Sequence, residues 1–257
     1  MSTYSTIRIE ESGVAWTVTI NRPERQNSID GLLLQELHSA FDHMEEDRQC
    51  RIAIIAGHPG FFCTGMDFQE AVGQTGSNDD GEKADAFIRL LRKMSMTSKI
   101  VIASIDGKVN AGGIGLVAAS DFAVATPQSQ FSLSEAIWGL LPACVVPYLI
   151  RRTGFQPAYW MTLSTLPVSA AEAQAFRLIN EVSADPASVV QRLMPRLARL
   201  DGQTIVDIKA YFRKMWLVND EMEQVAVKEI TRLMSEPRVR ENIRGFVEHQ
   251  RFPWSPR

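Results

Sequence analysis

Apolar and β-branched residues alternate with polar ones over residues 14–20 (VAWTVTI), the period-two pattern of a half-buried strand. After the turn-rich stretch NRPERQNSID, the residues Leu33, Leu34, Leu37, Phe41 and Met44 recur at helical spacing. Asp30 stands where its carboxylate can cap that helix, which should run to about Asp47. IAIIAG (52–57) is short, wholly apolar and Ile-rich, as expected of a strand buried on both faces. IVIAS (100–104) repeats the pattern, and DFAVAT (121–126) repeats it more weakly. Strands alternating with helices predict crossover units and a largely parallel sheet, hence an α/β fold. GQTGSNDDGEK (73–83) is polar and Gly-rich and reads as a mobile loop, either a lid or a plain surface excursion. From about 186 to 248 the apolar spacing is helical throughout, which predicts a helical appendage after the α/β core.

Bulk properties narrow the function classes. The 257 residues are 45% hydrophobic and 22% charged, ample for one large core. A formal charge of -3 argues against nucleic-acid binding, which needs a basic stripe. Cys50, Cys63 and Cys144 are odd in number and far apart, so neither a disulfide framework nor a metal site is expected. His38, His43, His58 and His249 form no cluster and read as surface or structural. The N-terminus carries Glu10 and Glu11 and lacks the apolar core of a signal peptide, and no apolar run is long enough to span a bilayer. A soluble, cytoplasmic protein is expected, with no membrane partner.

Two glycine-containing segments follow buried strands: FFCTGMDFQE (61–70) and IDGKVNAGGIGL (105–116). Glycine permits close approach and unusual backbone angles. A glycine pair opening a helix leaves N–H donors free, assisted by the helix dipole. Two such places can jointly hold a carbonyl oxygen that gains charge during reaction. Read alone, each segment is a weak signal and AGG after a strand is more often plain tight packing; GxxxxGK[ST] is absent, so neither is a phosphate loop.

Taken together, these segments resemble the oxyanion-hole segments of the crotonase (enoyl-CoA hydratase/isomerase) superfamily. The FxxGxD stretch is matched by Phe62 to Asp67, and the NGxxxGGG-like stretch by DGKVNAGGIG. SQFSLSEAIWGLLP (129–142) matches the family's third segment, and NRPERQNSI its first turn. The resemblance covers roughly residues 6–180. It implies a spiral of ββα units over residues 1–195 and a C-terminal helical region, 196–257, used in forming homotrimers or hexamers. It implies oxyanion donors at the N–H groups of Met66 and Gly112. Family hydratases usually carry two glutamates. The second matches Glu135, whereas the first matches Gly115, which has no acid–base chemistry.

GKVNAGGIG, FSLSEAIWGLLPACVVPYLIRR and the tail RFPW are most similar to the polyketide β-branching dehydratases. That similarity implies loss of water from 3-hydroxy-3-methylglutaryl on an acyl carrier protein, giving 3-methylglutaconyl for a partner decarboxylase. No bound cofactor or metal is implied; the substrate rides on phosphopantetheine, of a carrier or of CoA. Glu135 would take the α-proton, although its place also suits a helix cap. Asp67, Asn110, Gly113, Cys144 and Lys108 are further candidates for contact with substrate. Asp67 reads as well as a helix-start residue, Cys144 as core, Asn110 as a turn residue, and Lys108 as solvent-facing. Arg22 and Arg25 are candidates for the carrier's phosphate, or are merely a solvated turn. Isomerisation, decarboxylation or thioester hydrolysis would use the same oxyanion site. A non-catalytic carrier-binding subunit is the alternative outside enzymology.

Overall fold

In the computed structural model, which describes residues 4–73, 77–216 and 219–255, two sheets grow together along the chain. The hairpin β1 (Ile7–Ser12) and β2 (Ala15–Ile20) leads into α1 (Gly31–Glu46), then β3 (Ile52–Ala56) and the short β4 (Phe61–Cys63). Next come α2 (Phe68–Gly73), α3 (Ser77–Met96), β5 (Ile100–Ile105), β6 (Lys108–Asn110) and α4 (Gly112–Ala119). A third round supplies β7 (Phe122–Ala125), β8 (Gln130–Ser132) and α5 (Glu135–Trp138). The remaining elements are α6 (Val146–Thr153), α7 (Phe155–Ser164), β9 (Val168–Ser169), α8 (Ala170–Ala175), β10 (Glu181–Val182), α9 (Pro186–Leu197), α10 (Gly202–Arg213), α11 (Asp220–Met234) and α12 (Pro237–His249).

One sheet runs β1-β2-β3-β5-β7-β10 and is parallel beyond the first hairpin; the other runs β4-β6-β8-β9. After the hairpin, the pairs β3 and β4, β5 and β6, and β7 and β8 each give one strand to each sheet and are followed by a helix, which is the expected spiral of ββα units. The alternation in β2 and the apolar runs of β3, β5 and β7 give strands where the pattern predicts them. Asp30 caps α1 by accepting from Leu33 N–H at 2.8 Å, as its sequence position predicts.

The stretch read as a loop over 73–83 is a correction. Gly73 ends α2, residues 77–83 are the first turns of α3, and residues 74–76 lie outside the described residues. A polar face alone does not make a loop. Here Ala84, Ile88, Leu90, Leu91 and Met94 of the same helix are buried, and α3 packs on α1 and α11. The C-terminal helices pack on their own chain: Ala226 of α11 belongs to the main core, and α12 lies on α2 and α5.

Candidate active site

The ends of β4 and β6 bring the two glycine segments together. Ile29 N–H donates to Gly65 O at 2.7 Å, and Asp67 N–H donates to Ile29 O at 2.9 Å. In such a parallel bridge the residue between, Met66, turns its own N–H away from Ile29. That far side faces the turn into α4. A Cβ on Gly65 would lie 2.6 Å from Ala111 Cβ and 3.2 Å from Gly112 N, so only glycine, at φ +87, lets the segments meet. Gly112 is the first residue of α4, and its N–H has no intrahelical acceptor. Among the described residues neither N–H donates to any acceptor. Ala111, at φ 49 and ψ -117, holds a costly backbone conformation at this junction.

These donors open onto a cavity of about 550 Å³ lined also by Glu135, Asn110, Cys144, Lys83 and Arg25. Glu135 begins α5, and its Oε2 is buried with no hydrogen-bond partner among the described residues. Burial pushes its carboxyl up to about 7, against a weaker opposing effect of its own backbone N–H. A carboxyl titrating near neutrality can both take and return a proton. Asn110 is oriented by Ser132 Oγ, which donates to its Oδ1 at 2.9 Å.

Gly115 lines no part of the cavity. A Cβ there would meet Phe87 Cζ at 3.0 Å, Val145 Cγ2 at 3.2 Å and Leu91 Cδ1 at 3.3 Å. The place where hydratases of the family carry their first glutamate is filled by apolar side chains. Glu24, Asp30 and Asp67 line the cavity besides Glu135, and no carboxylate stands at the Gly115 position.

Other candidates are redistributed. Asp67 lines the cavity, but its oxygens accept from Ser28 Oγ at 2.9 Å and from the Gln69 and Glu70 N–H groups at 3.0 and 3.3 Å, so it starts α2. Arg22 is buried, paired with Asp30 at 2.5 Å and Asp67 at 3.4 Å and bonded to Ser28 O. It braces the site from behind and is not a phosphate ligand. Arg25 is exposed at the cavity's edge, bonded to Gln69. Lys108 is outside the cavity lining, exposed, with its ammonium 5.8 Å from the centre of the Phe61 ring. Gly113 packs on Cys63, where a Cβ would lie 2.4 Å from the carbonyl oxygen. Cys144 is apolar wall: burial pushes its thiol up to about 12, far from a nucleophile.

Sequence reasoning missed Lys83, Phe87 and the C-terminal wall. Lys83 lines the cavity and pairs with Glu70 at 3.1 Å. Ile230 and Met234 of α11 and Phe246 and Val247 of α12 line it as well. Among the described residues no group of His, Cys, Asp or Glu can hold a metal, and no helix is long and apolar enough to cross a membrane.

The chain is a ββα spiral whose cavity is lined by Met66, Gly112 and Glu135, and it belongs to the enoyl-CoA hydratase/isomerase family, the crotonase class, whose model matches residues 10–257. It is an enzyme of the hydro-lyase type. Among individual relatives it is 33% identical over 253 residues to the bacillaene synthase dehydratase PksH of Bacillus subtilis, covering 98% of this chain and 97% of that one. The crystal structure of a polyketide biosynthesis enoyl-CoA hydratase from Bacillus subtilis superposes with a TM-score of 0.90 at 32% identity, over 98% of this chain and 100% of the other. The mevalonyl-coenzyme A hydratase of Aspergillus fumigatus is 27% identical over 250 residues, covering 93% of this chain and 90% of that one.

Proposed function

We propose that the chain removes water from 3-hydroxy-3-methylglutaryl held as a thioester on an acyl carrier protein, giving 3-methylglutaconyl-carrier in polyketide β-branching. The observation that carries this reading is the single neutral-range carboxyl of Glu135 facing two free N–H donors, with apolar packing at Gly115. The resemblance to a polyketide dehydratase and to a mevalonyl-thioester hydratase supports it. Mevalonyl and 3-hydroxy-3-methylglutaryl groups both carry hydroxyl and methyl on the β-carbon.

Removing the α-proton places charge on the thioester oxygen, where Met66 N–H and Gly112 N–H stabilise it. One such donor contributes roughly 3–4 kcal/mol to lowering the barrier. Glu135 takes the α-proton, and the carbon–oxygen bond at the β-carbon then breaks. The same carboxyl returns the proton to the departing hydroxide, so one water leaves and Glu135 is again ionised. Asn110 lies beside this path as a donor to the hydroxyl. The product passes to a partner decarboxylase. Arg25, at the cavity's edge, is the contact for the carrier's phosphopantetheine phosphate. The exposed Phe155, Tyr159, Trp160 and Leu163 of α7 and Tyr211 and Phe212 of α10 suit a homotrimer or hexamer whose copies cover them.

Mass spectrometry of the loaded carrier with and without enzyme tests the reaction. Loss of one water is expected; loss of carbon dioxide or no change overturns the assignment. Lys83 is the counter-ion for the substrate's far carboxylate. Removing one member of a buried charge pair costs about 2 kcal/mol or more, roughly 30-fold. Lys83→Met should lower kcat/KM by about that factor on the 3-hydroxy-3-methylglutaryl carrier. On the uncharged 3-hydroxy-3-methylbutyryl carrier it should change by less than about threefold. Equal losses on both carriers would remove Lys83 from substrate selection.

A further inference from the structure

The tail RFPW ends on the helix that carries Glu135. That helix, α5, has four residues and no side-chain cap at its start, too little to hold itself in place. The Glu135 carboxyl is held by no other residue: Oε2 has no hydrogen-bond partner among the described residues, and the group is met only by its own backbone N–H. Whatever aims the base must therefore act through the packing of α5. The buried residue of this helix is Trp138, one turn beyond Glu135.

Three rings from three other segments enclose Trp138. Phe68, which opens α2 two residues after Met66, meets it edge-on with centroids 5.4 Å apart. Phe246 of α12 meets it tilted at 4.9 Å. Phe252 of the tail stacks on it at 5.9 Å with planes 25° apart. Phe252 also contacts Phe246 at 5.4 Å and stacks with Trp254 at 5.0 Å. The tail is folded back for this purpose: Gln250 takes a left-handed conformation at φ 52, and Arg251 N–H donates to Gly245 O at 3.1 Å. Asn242 of α12 donates to Trp138 O at 3.2 Å, so α12 holds the backbone of α5 as well as its ring.

We infer that Phe252 is a positioning residue, whose stack on Trp138 fixes where Glu135 sits relative to the Met66 N–H. The cluster joins the oxyanion segment through Phe68, the base through Trp138 and the C-terminus through Phe252. The inference rests on Glu135 acting as the base. A displacement of the order of 1 Å at a reacting group can cost about 100-fold in rate. Phe252 touches no reacting atom, so its effect belongs in kcat and not in substrate affinity.

The test uses the full chain with Phe252 changed to Ala, Leu or Tyr and 3-hydroxy-3-methylglutaryl carrier as substrate. Phe252→Ala should lower kcat by about 10-fold to 100-fold with KM within about twofold. Phe252→Tyr keeps the stack and should return kcat to within about threefold of wild type. Should the alanine variant not fold, Phe252→Leu, which keeps apolar volume without a ring, decides the matter by the same drop in kcat. Wild-type kcat in the folded Ala or Leu variant, or an equal loss in Phe252→Tyr, overturns the inference. A second readout needs no turnover: a 4-dimethylaminocinnamoyl pantetheine thioester absorbs further to the red when its carbonyl is polarised by the two N–H groups. The red shift should shrink in Phe252→Ala at saturating probe, and an unchanged shift counts against the inference. If wild type loses no water from the carrier substrate, the substrate assignment fails alone, and the spectral comparison still decides the role of Phe252.

Discussion

Changing Glu135 to Gln should stop dehydration, leave thioester binding intact and make the protein more stable at pH 8. A positioned general base contributes on the order of 10²–10⁴-fold to rate. The loss should reach the upper end here, because the same carboxyl also returns the proton and Gly115 offers no second acid. Wild-type kcat/KM should rise with pH through about 7, as burial holds the Glu135 carboxyl protonated below that value. The same burial acts on stability. A carboxyl raised from 4.5 to about 7 favours folding fully below pH 4.5, and that contribution is lost as pH rises through about 7. At roughly 1.4 kcal/mol per pH unit, the cost at pH 8 is about 3 kcal/mol. Glutamine carries no charge and avoids it. Urea denaturation midpoints of the two proteins should therefore coincide near pH 4.5 and separate by pH 8 in favour of the variant. Wild-type turnover in Glu135→Gln would end the assignment of the base. Coincident midpoints at both pH values would mean that the carboxyl is not desolvated.

Which parts of this site could be read from the sequence follows from how local each signal is. The two glycine segments were legible because glycine after a buried strand is visible in one dimension, and Gly65 is demanded by the close approach of Ala111 and Gly112; Met66 and Gly112 became donor candidates only by resemblance. Glu135 became a base only by resemblance, since alone it fits a helix start equally well. The strands β4, β6 and β8 have three residues each, too few for a period-two pattern to register, yet they carry the chain to Gly65, Asn110 and Ser132. Arg22 and Arg25 look alike in the turn NRPERQ. What separates them is that Asp30 and Asp67 converge on Arg22 and take it out of solvent. Lys83 and Phe87 were missed because residues 77–83 have a loop's composition. Gly81 suits a helix there because α11 passes close by: a Cβ on it would lie 3.2 Å from Thr231 Oγ1. The rings around Trp138 come from three other segments, a convergence no spacing rule reveals.

A glutamate placed at Gly115 should unsettle the fold and not restore a two-glutamate hydratase. Its Cβ would press on Phe87, Val145 and Leu91 at 3.0 to 3.3 Å, and overpacking of this kind costs about 1–3 kcal/mol. Its carboxyl would lie among apolar groups without a donor, adding roughly 1–3 kcal/mol. For a chain of this size such a sum lowers Tm by about 5–20 °C, readable by calorimetry. Phe87 also stands close to the second oxyanion residue, its Cζ 3.4 Å from where a Gly112 Cβ would be. Pushing that ring aside disturbs the oxyanion donor, so dehydration by Gly115→Glu should fall by about 100-fold even where the protein is folded. The double variant Gly115→Glu, Phe87→Ala separates clash from chemistry. Removing the ring makes room for the carboxylate at the cavity, and part of the lost Tm should return. That double variant, and neither single one, should gain hydration of an enoyl thioester, because only it places two carboxylates against one substrate. Wild-type stability and turnover in Gly115→Glu alone would mean that the first glutamate's place is open space, and that the lack of a glutamate there is an accident of sequence and not a consequence of its packing.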